Sequence, residues 1–178
     1  MITASVQSFD EQFATLFDSH HHRLFRVLDR LSGDADLAAD LAQDAFVRLY
    51  KRGALPESPG AWLVSVAMNL FRNVRSTRSR RLRLLTPTRA EGMHADRAPS
   101  PDDAVEAGDV RQRVRWAMQQ LSERDRRMLV LRADGYRYRE IAVALDMNEA
   151  SIGTLLARAQ REFREHYEQH DEGSRDAS

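Results

Sequence analysis

The chain has 178 residues, enough for one ordinary domain or two small ones, and its 42% hydrophobic content supports packed cores. Few aromatics, glycines and prolines favour helices, and the absence of cysteine excludes disulfides and thiolate metal sites, which fits a reducing cytoplasm. No run reaches the roughly 18 apolar residues of a membrane span, and the start MITASVQSFDEQF lacks the basic and apolar segments of an export signal, so a soluble, unexported protein without membrane insertion is expected. The formal net charge of zero conceals blocks of opposite sign. Residues 1–44 carry three Arg against eight acids, a balance of −5, and residues 45–90 carry nine Arg and Lys51 against Glu57, a balance of +9. Residues 91–110 return to −5, residues 111–165 reach +4, and the remainder is −3. Two basic blocks set between acidic ones suggest two separate contacts with a polyanion.

In chain order, Ser8-x-x-Glu11 has the form of a capping box, and Phe9, Phe13, Leu16, Phe17, Leu24, Val27, Leu28 and Leu31 recur at helical spacing, predicting a first helix over 8–31. Gly33 and Asp34 break it. Leu37, Leu41, Ala45, Phe46 and Leu49 mark a second helix up to Arg52. A third begins near Pro59 or Gly60, takes in Trp62, Leu63, Val66, Leu70 and Val74, and continues as the basic segment FRNVRSTRSRRLR. Residues 86–108, with three prolines, two glycines and little apolar periodicity, read as a flexible linker. Val110, Val114, Met118 and Leu121 then form one helix, and Ser122 with Asp125 caps the next, which runs to Gly135.

The stretch YREIAVALDMNEASIGTLLARAQ, residues 138–160, has helix-turn-helix spacing. Ile141, Ala142 and Leu145 give the first helix its buried face, DMN supplies the turn with Asn148 as N-cap, and Ile152, Leu155 and Leu156 line the second helix. Its outer side shows Glu149, Ser151, Thr154 and Arg158, placed to enter a major groove. The tail from 169 reads as disordered. No strand pattern occurs, so the fold class is all-α: a helical domain over 8–85, the linker 86–108, a helix-turn-helix domain over 109–168 and the tail 169–178.

Two further features bear on chemistry. Arg72, Arg75 and Arg78 recur at spacing three with no acid between them, a row fit to follow a phosphate backbone, and Trp62 lies upstream, where an aromatic ring can stack on an unpaired base or pack in the core. Asn69 falls between Trp62 and that row. His20, His21 and His22 cannot converge on one ion, because consecutive helical side chains diverge by about 100 degrees. No phosphate-cradling loop, nucleophile elbow or metal-ligand spacing is present, so neither an enzyme nor a cofactor is expected.

The order of these parts resembles the extracytoplasmic-function sigma factors of bacterial RNA polymerase. DLAADLAQDAFVRLYKR looks like the second conserved helix of that family, GAWLVSVAMNLFRNVRSTRSRR like the promoter-melting segment, and LSERDRRMLVLRADGYRYREIAVALDMNEASIGTLLARAQREF like its fourth region. The resemblance implies a promoter-specificity subunit that partners core RNA polymerase and promoter DNA in the cytoplasm, with an anti-sigma factor as a further candidate partner. It implies docking of Asp40, Gln43, Asp44 and Phe46 on a coiled coil of the polymerase largest subunit, with the polymerase flap as a further contact. Trp62, Asn69, Arg72, Arg75 and Arg78 become candidates for the minus-ten element, Asn69 matching an asparagine that reads a flipped base. The family often carries Arg where this chain has Gly153 and Leu155, which leaves Ser151, Thr154, Arg158 and Arg161 as candidates for the minus-thirty-five element. A free-standing helix-turn-helix repressor is the rival reading; it explains the C-terminal unit but not the acidic second helix or the Arg-rich third.

Overall fold

The structure is a computed structural model and describes residues 8–85 and 105–175. Among the described residues there are seven helices and no strand: α1 (Phe9–Ser32), α2 (Ala35–Arg52), α3 (Pro59–Leu85), α4 (Val105–Gln120), α5 (Glu123–Ala133), α6 (Tyr138–Leu145) and α7 (Glu149–Arg175). They fall into two compact units, α1–α3 and α4–α7. The expected linker lies outside the described residues up to 104, and from Val105 it is already helix α4.

In the first unit the local signals act as the sequence predicts. Ser8 Oγ accepts from the Glu11 amide at 3.3 Å while Glu11 accepts from the Ser8 amide at 3.0 Å, satisfying two of the donors a helix start leaves open. Gly33 ends α1 in the left-handed region at φ 64°, and Asp34 caps α2 through the Leu37 amide at 3.1 Å. Core contacts come from Leu24, Val27 and Leu28 of α1, Leu41, Phe46 and Leu49 of α2, and Leu63, Val64, Met68 and Phe71 of α3. Ala38, Ala42 and Ala45 are fully enclosed, so α2 offers small side chains to the helices packed on either side of it.

In the second unit, Ser122 Oγ accepts from the Asp125 amide at 3.1 Å and donates to the Asp125 carboxylate at 2.6 Å, opening α5 as the sequence indicates. The neighbouring Arg126 guanidinium donates to the carbonyls of Met118 at 2.8 Å and Gln119 at 3.0 Å, closing the C-terminal end of α4. Asp146 turns between α6 and α7 at φ 55°, and Asn148 Oδ1 accepts from the Ala150 amide at 2.9 Å. Ile141, Ala142, Ile152, Leu156 and Ala159 pack between these helices.

The C-terminal expectation needs correction. Helix α7 runs on to Arg175, well into the segment read as a disordered tail. It is held against α4: the Trp116 ring lies 4.9 Å from His170 and 6.2 Å from His166, and the Arg113 guanidinium sits 5.4 Å over the Tyr167 ring. A polar helix end that finds an aromatic partner on another helix is stabilised by tertiary packing that its own composition does not announce.

Candidate nucleic-acid interface

Helix α3 carries the first candidate surface. Trp62 is half-buried in its first turns, its amide bonded to the Ser58 carbonyl at 3.0 Å, and Asn69 and Arg72 are exposed further along. Arg72 donates to Asn69 Oδ1 at 2.6 Å. A guanidinium only donates, so this contact fixes the amide with its oxygen toward Arg72 and its two N–H donors free for an acceptor such as a base edge. The sequence placed Asn69 and Arg72 near each other; their i,i+3 spacing is the signal that pairs them.

The arginine row is less uniform than its spacing suggests. Arg72 and Arg78 are exposed, whereas Arg75 is half-buried with its guanidinium 5.7 Å over the ring of the buried Phe71. A step of three falls short of a full turn by about 60 degrees, so the row winds around α3 and brings Arg75 toward the core side. No acidic residue occurs between Pro59 and Leu85, so this helix presents positive charge with no internal neutralisation.

The candidate polymerase face lies on α2. Asp40 and Gln43 are exposed, and Asp44 is half-exposed with Arg48 at 3.4 Å. Phe46 differs from the expectation: it is 2% exposed, its ring 4.9 Å from Phe17, 5.8 Å from His21 and 6.2 Å from Phe13. It supports the face from behind and does not present to a partner. The apolar side chains that do stand beside Asp40, Gln43 and Asp44 are Val47, 39% exposed, and Tyr50, 53% exposed. Sequence reasoning passed over both, although Gln43, Val47 and Tyr50 are spaced i, i+4, i+7 along one helix face.

On α7, Ser151, Thr154, Arg158 and Arg161 are all exposed, and Glu149 opens the same helix. Arg158 reaches back to within 3.9 Å of the buried Asp125 carboxylate, which also receives Arg124 Nε at 3.1 Å. The guanidinium of Arg158 therefore ties α7 to the start of α5. A Cβ on Gly153 would stand 3.4 Å from Cε2 of Tyr138, at ordinary van der Waals contact, so the glycine faces an aromatic ring at the start of α6. Among the described residues no group of three or more His, Asp or Glu is placed to hold a metal ion, and His20 is hydrogen-bonded to Ser19 Oγ at 2.8 Å.

These surfaces coincide with two known sequence families. Residues 16–81 match the family described as Sigma-70 region 2, and residues 111–162 match Sigma-70, region 4. The chain is 31% identical over 166 residues to the RNA polymerase sigma-H factor of Pseudomonas aeruginosa, covering 86% of this chain and 83% of that protein. It is 28% identical over 168 residues to the ECF RNA polymerase sigma factor SigX of Bacillus subtilis, covering 89% and 85%. Its fold is similar to that of the sigma factor RpoE of Bartonella quintana, solved in complex with the anti-sigma factor NepR, with a TM-score of 0.66 at 20% identity, over 88% of this chain and 97% of that one. A region 2 unit followed on one chain by a region 4 helix-turn-helix, with identity to curated relatives along most of their length, establishes that the chain belongs to the extracytoplasmic-function group of the sigma-70 family.

Proposed function

We propose that α2, α3 and α7 divide the work of an alternative sigma factor, a subunit that joins core RNA polymerase and directs promoter recognition and transcription initiation. Its role is that of a regulatory initiation factor: bond formation in RNA belongs to the polymerase. Asp40, Gln43 and Asp44, with Val47 and Tyr50, form the docking face for the largest-subunit coiled coil. An acidic rim steers the encounter with a basic partner surface, and the apolar pair supplies the desolvated contact that holds it. The α4–α7 unit meets the polymerase flap. Asn69 reads a base of the minus-ten element with its free N–H donors, Trp62 contacts the opened strand, and Arg72 and Arg78 follow the phosphates. Ser151, Thr154, Arg158 and Arg161 face the minus-thirty-five element. An anti-sigma factor is a further partner of the same surfaces, and the cytoplasm is where polymerase and promoter are met; no helix among the described residues is long and apolar enough to cross a membrane.

The observation that carries this reading is the Asn69–Arg72 contact on an exposed, acid-free helix, in the chain order region 2 then region 4. The test is reconstitution: purified chain mixed with core polymerase should comigrate as one complex and initiate from selected promoters. High-affinity operator binding by the chain alone at physiological salt, with no polymerase complex, would support the repressor reading instead.

A further inference from the structure

The base chemistry read by α7 follows from what its first turns lack and from what lies over Gly153. In a helix-turn-helix the N-terminal residues of the second helix meet the base edges, and later ones meet the backbone. From Glu149 to Ala157 there is no Arg, Lys, Asn or Gln, so no side chain in these turns can make the bidentate contacts that select guanine or adenine. Beyond the exposed Glu149, whose carboxylate only accepts and so selects neither purine by a bidentate contact, the exposed groups are small: Ala150, the hydroxyl of Ser151, and the hydroxyl and methyl of Thr154. Arg158, the nearest guanidinium along the helix, is turned toward Asp125.

The neighbouring helix adds an aromatic surface. Tyr138 is 43% exposed, and its Cε2 lies where a side chain on residue 153 would begin. The Arg132 guanidinium stands 5.6 Å over the same ring and donates to the Tyr136 carbonyl at 3.3 Å, so the ring is held from one side and open on another. Glycine at 153 thus leaves the flank of the helix to Tyr138.

Resting on the assignment of α7 as the minus-thirty-five reader, we infer that Tyr138 and Thr154 are specificity-determining residues that recognise thymine through its C5-methyl group. A methyl is the one major-groove feature that apolar groups can select, and an aromatic edge with a threonine methyl and Ala150 offers it an apolar seat. The element this chain prefers is accordingly rich in A·T pairs, not a run of guanines.

The experiment is selection from promoter DNA randomised at the minus-thirty-five element, using holoenzyme reconstituted with core polymerase. The expected result is enrichment of thymine at one or more positions, followed by about fourfold weaker binding when that thymine is replaced by deoxyuridine, which removes the methyl alone. In Thr154→Ser, which keeps the hydroxyl, the thymine and deoxyuridine templates should bind alike at the position Thr154 reads, with an unchanged melting temperature. Tyr138→Ala should do the same at a neighbouring position. Enrichment of guanine or cytosine throughout, or equal binding of thymine and deoxyuridine by the unaltered protein, overturns the inference while leaving α7 a base reader. No enrichment at this element, with minus-ten selection retained, overturns base reading by α7 and this inference with it.

Discussion

Replacing Asn69 with Asp preserves the size of the side chain and an acceptor for Arg72, but removes both N–H donors. Asn69 is exposed, and the i,i+3 ion pair created with Arg72 contributes no more than about 0.5 kcal/mol, so the melting temperature should move by no more than roughly 2–4 °C. At the promoter the effect is larger. A base acceptor left without its donor costs about 1–3 kcal/mol, or about 5- to 150-fold in open-complex formation, and the new carboxylate adds repulsion from phosphates. The assay is open-complex formation by reconstituted holoenzyme on templates differing at single minus-ten positions. One template should stand apart: where the base read by Asn69 has already been changed, the substitution should add little, because the two alterations remove the same contact. Equal losses on every template, or a loss that tracks the melting temperature, would refute the assignment and leave Asn69 as a residue that only orders α3.

Asp40→Arg and Asp44→Arg should each weaken association with core polymerase severalfold while circular dichroism stays unchanged, since Asp40 is exposed and Asp44 is only partly covered. Tyr50→Ser should weaken the same association without raising salt sensitivity, which separates the apolar part of the face from its acidic part; titration of labelled protein with core enzyme reads both. Phe46→Ala should instead cost about 3–5 kcal/mol of stability in chemical denaturation, because its ring is enclosed among Phe13, Phe17 and His21. Arg78→Ala should lower the salt slope of promoter binding by about one phosphate contact, whereas Arg75→Ala should also destabilise the fold by about 0.5–1 kcal/mol through its lost contact with Phe71.

What the sequence made legible was local. Caps at Ser8, Ser122 and Asn148 follow from a few consecutive residues, and the inward faces of α1, α2 and α6 follow from apolar groups recurring every three or four positions. What escaped depends on contacts between distant positions. The closure of α4 by Arg126 spans eight residues and uses a side chain of a type that is ordinarily exposed. The continuation of α7 to Arg175 depends on Trp116, a residue of another helix. Phe46 was placed on the docking face with its neighbours, yet one residue is about 100 degrees of helix, enough to exchange an enclosed ring for the exposed Val47. The sequence singles out candidate DNA residues on α3, but which of them is exposed and which leans on the core required knowing that Phe71 sits beneath Arg75.

The two candidate DNA-reading helices differ in the strength of discrimination available to them, and this bears on promoter choice. A bidentate purine contact discriminates by about 1–3 kcal/mol, whereas a methyl seated against apolar groups adds about 0.8 kcal/mol. The first turns of α7 hold no Arg, Lys, Asn or Gln for the first kind, and even two methyl contacts scarcely match one good bidentate pair. On α3, by contrast, Asn69 presents a fixed amide beside Arg72, and an extruded base exposes its pairing edge to it. The proposed roles therefore weigh selectivity per base toward the minus-ten element, with the minus-thirty-five contact adding affinity and a broad A·T preference. Paired template libraries test this directly: randomising the minus-ten element should depress transcription by this holoenzyme more steeply than randomising the minus-thirty-five element. The opposite order would mean that α7 reads with contacts beyond its first turns, for which the exposed Arg158 and Arg161 are in position to act.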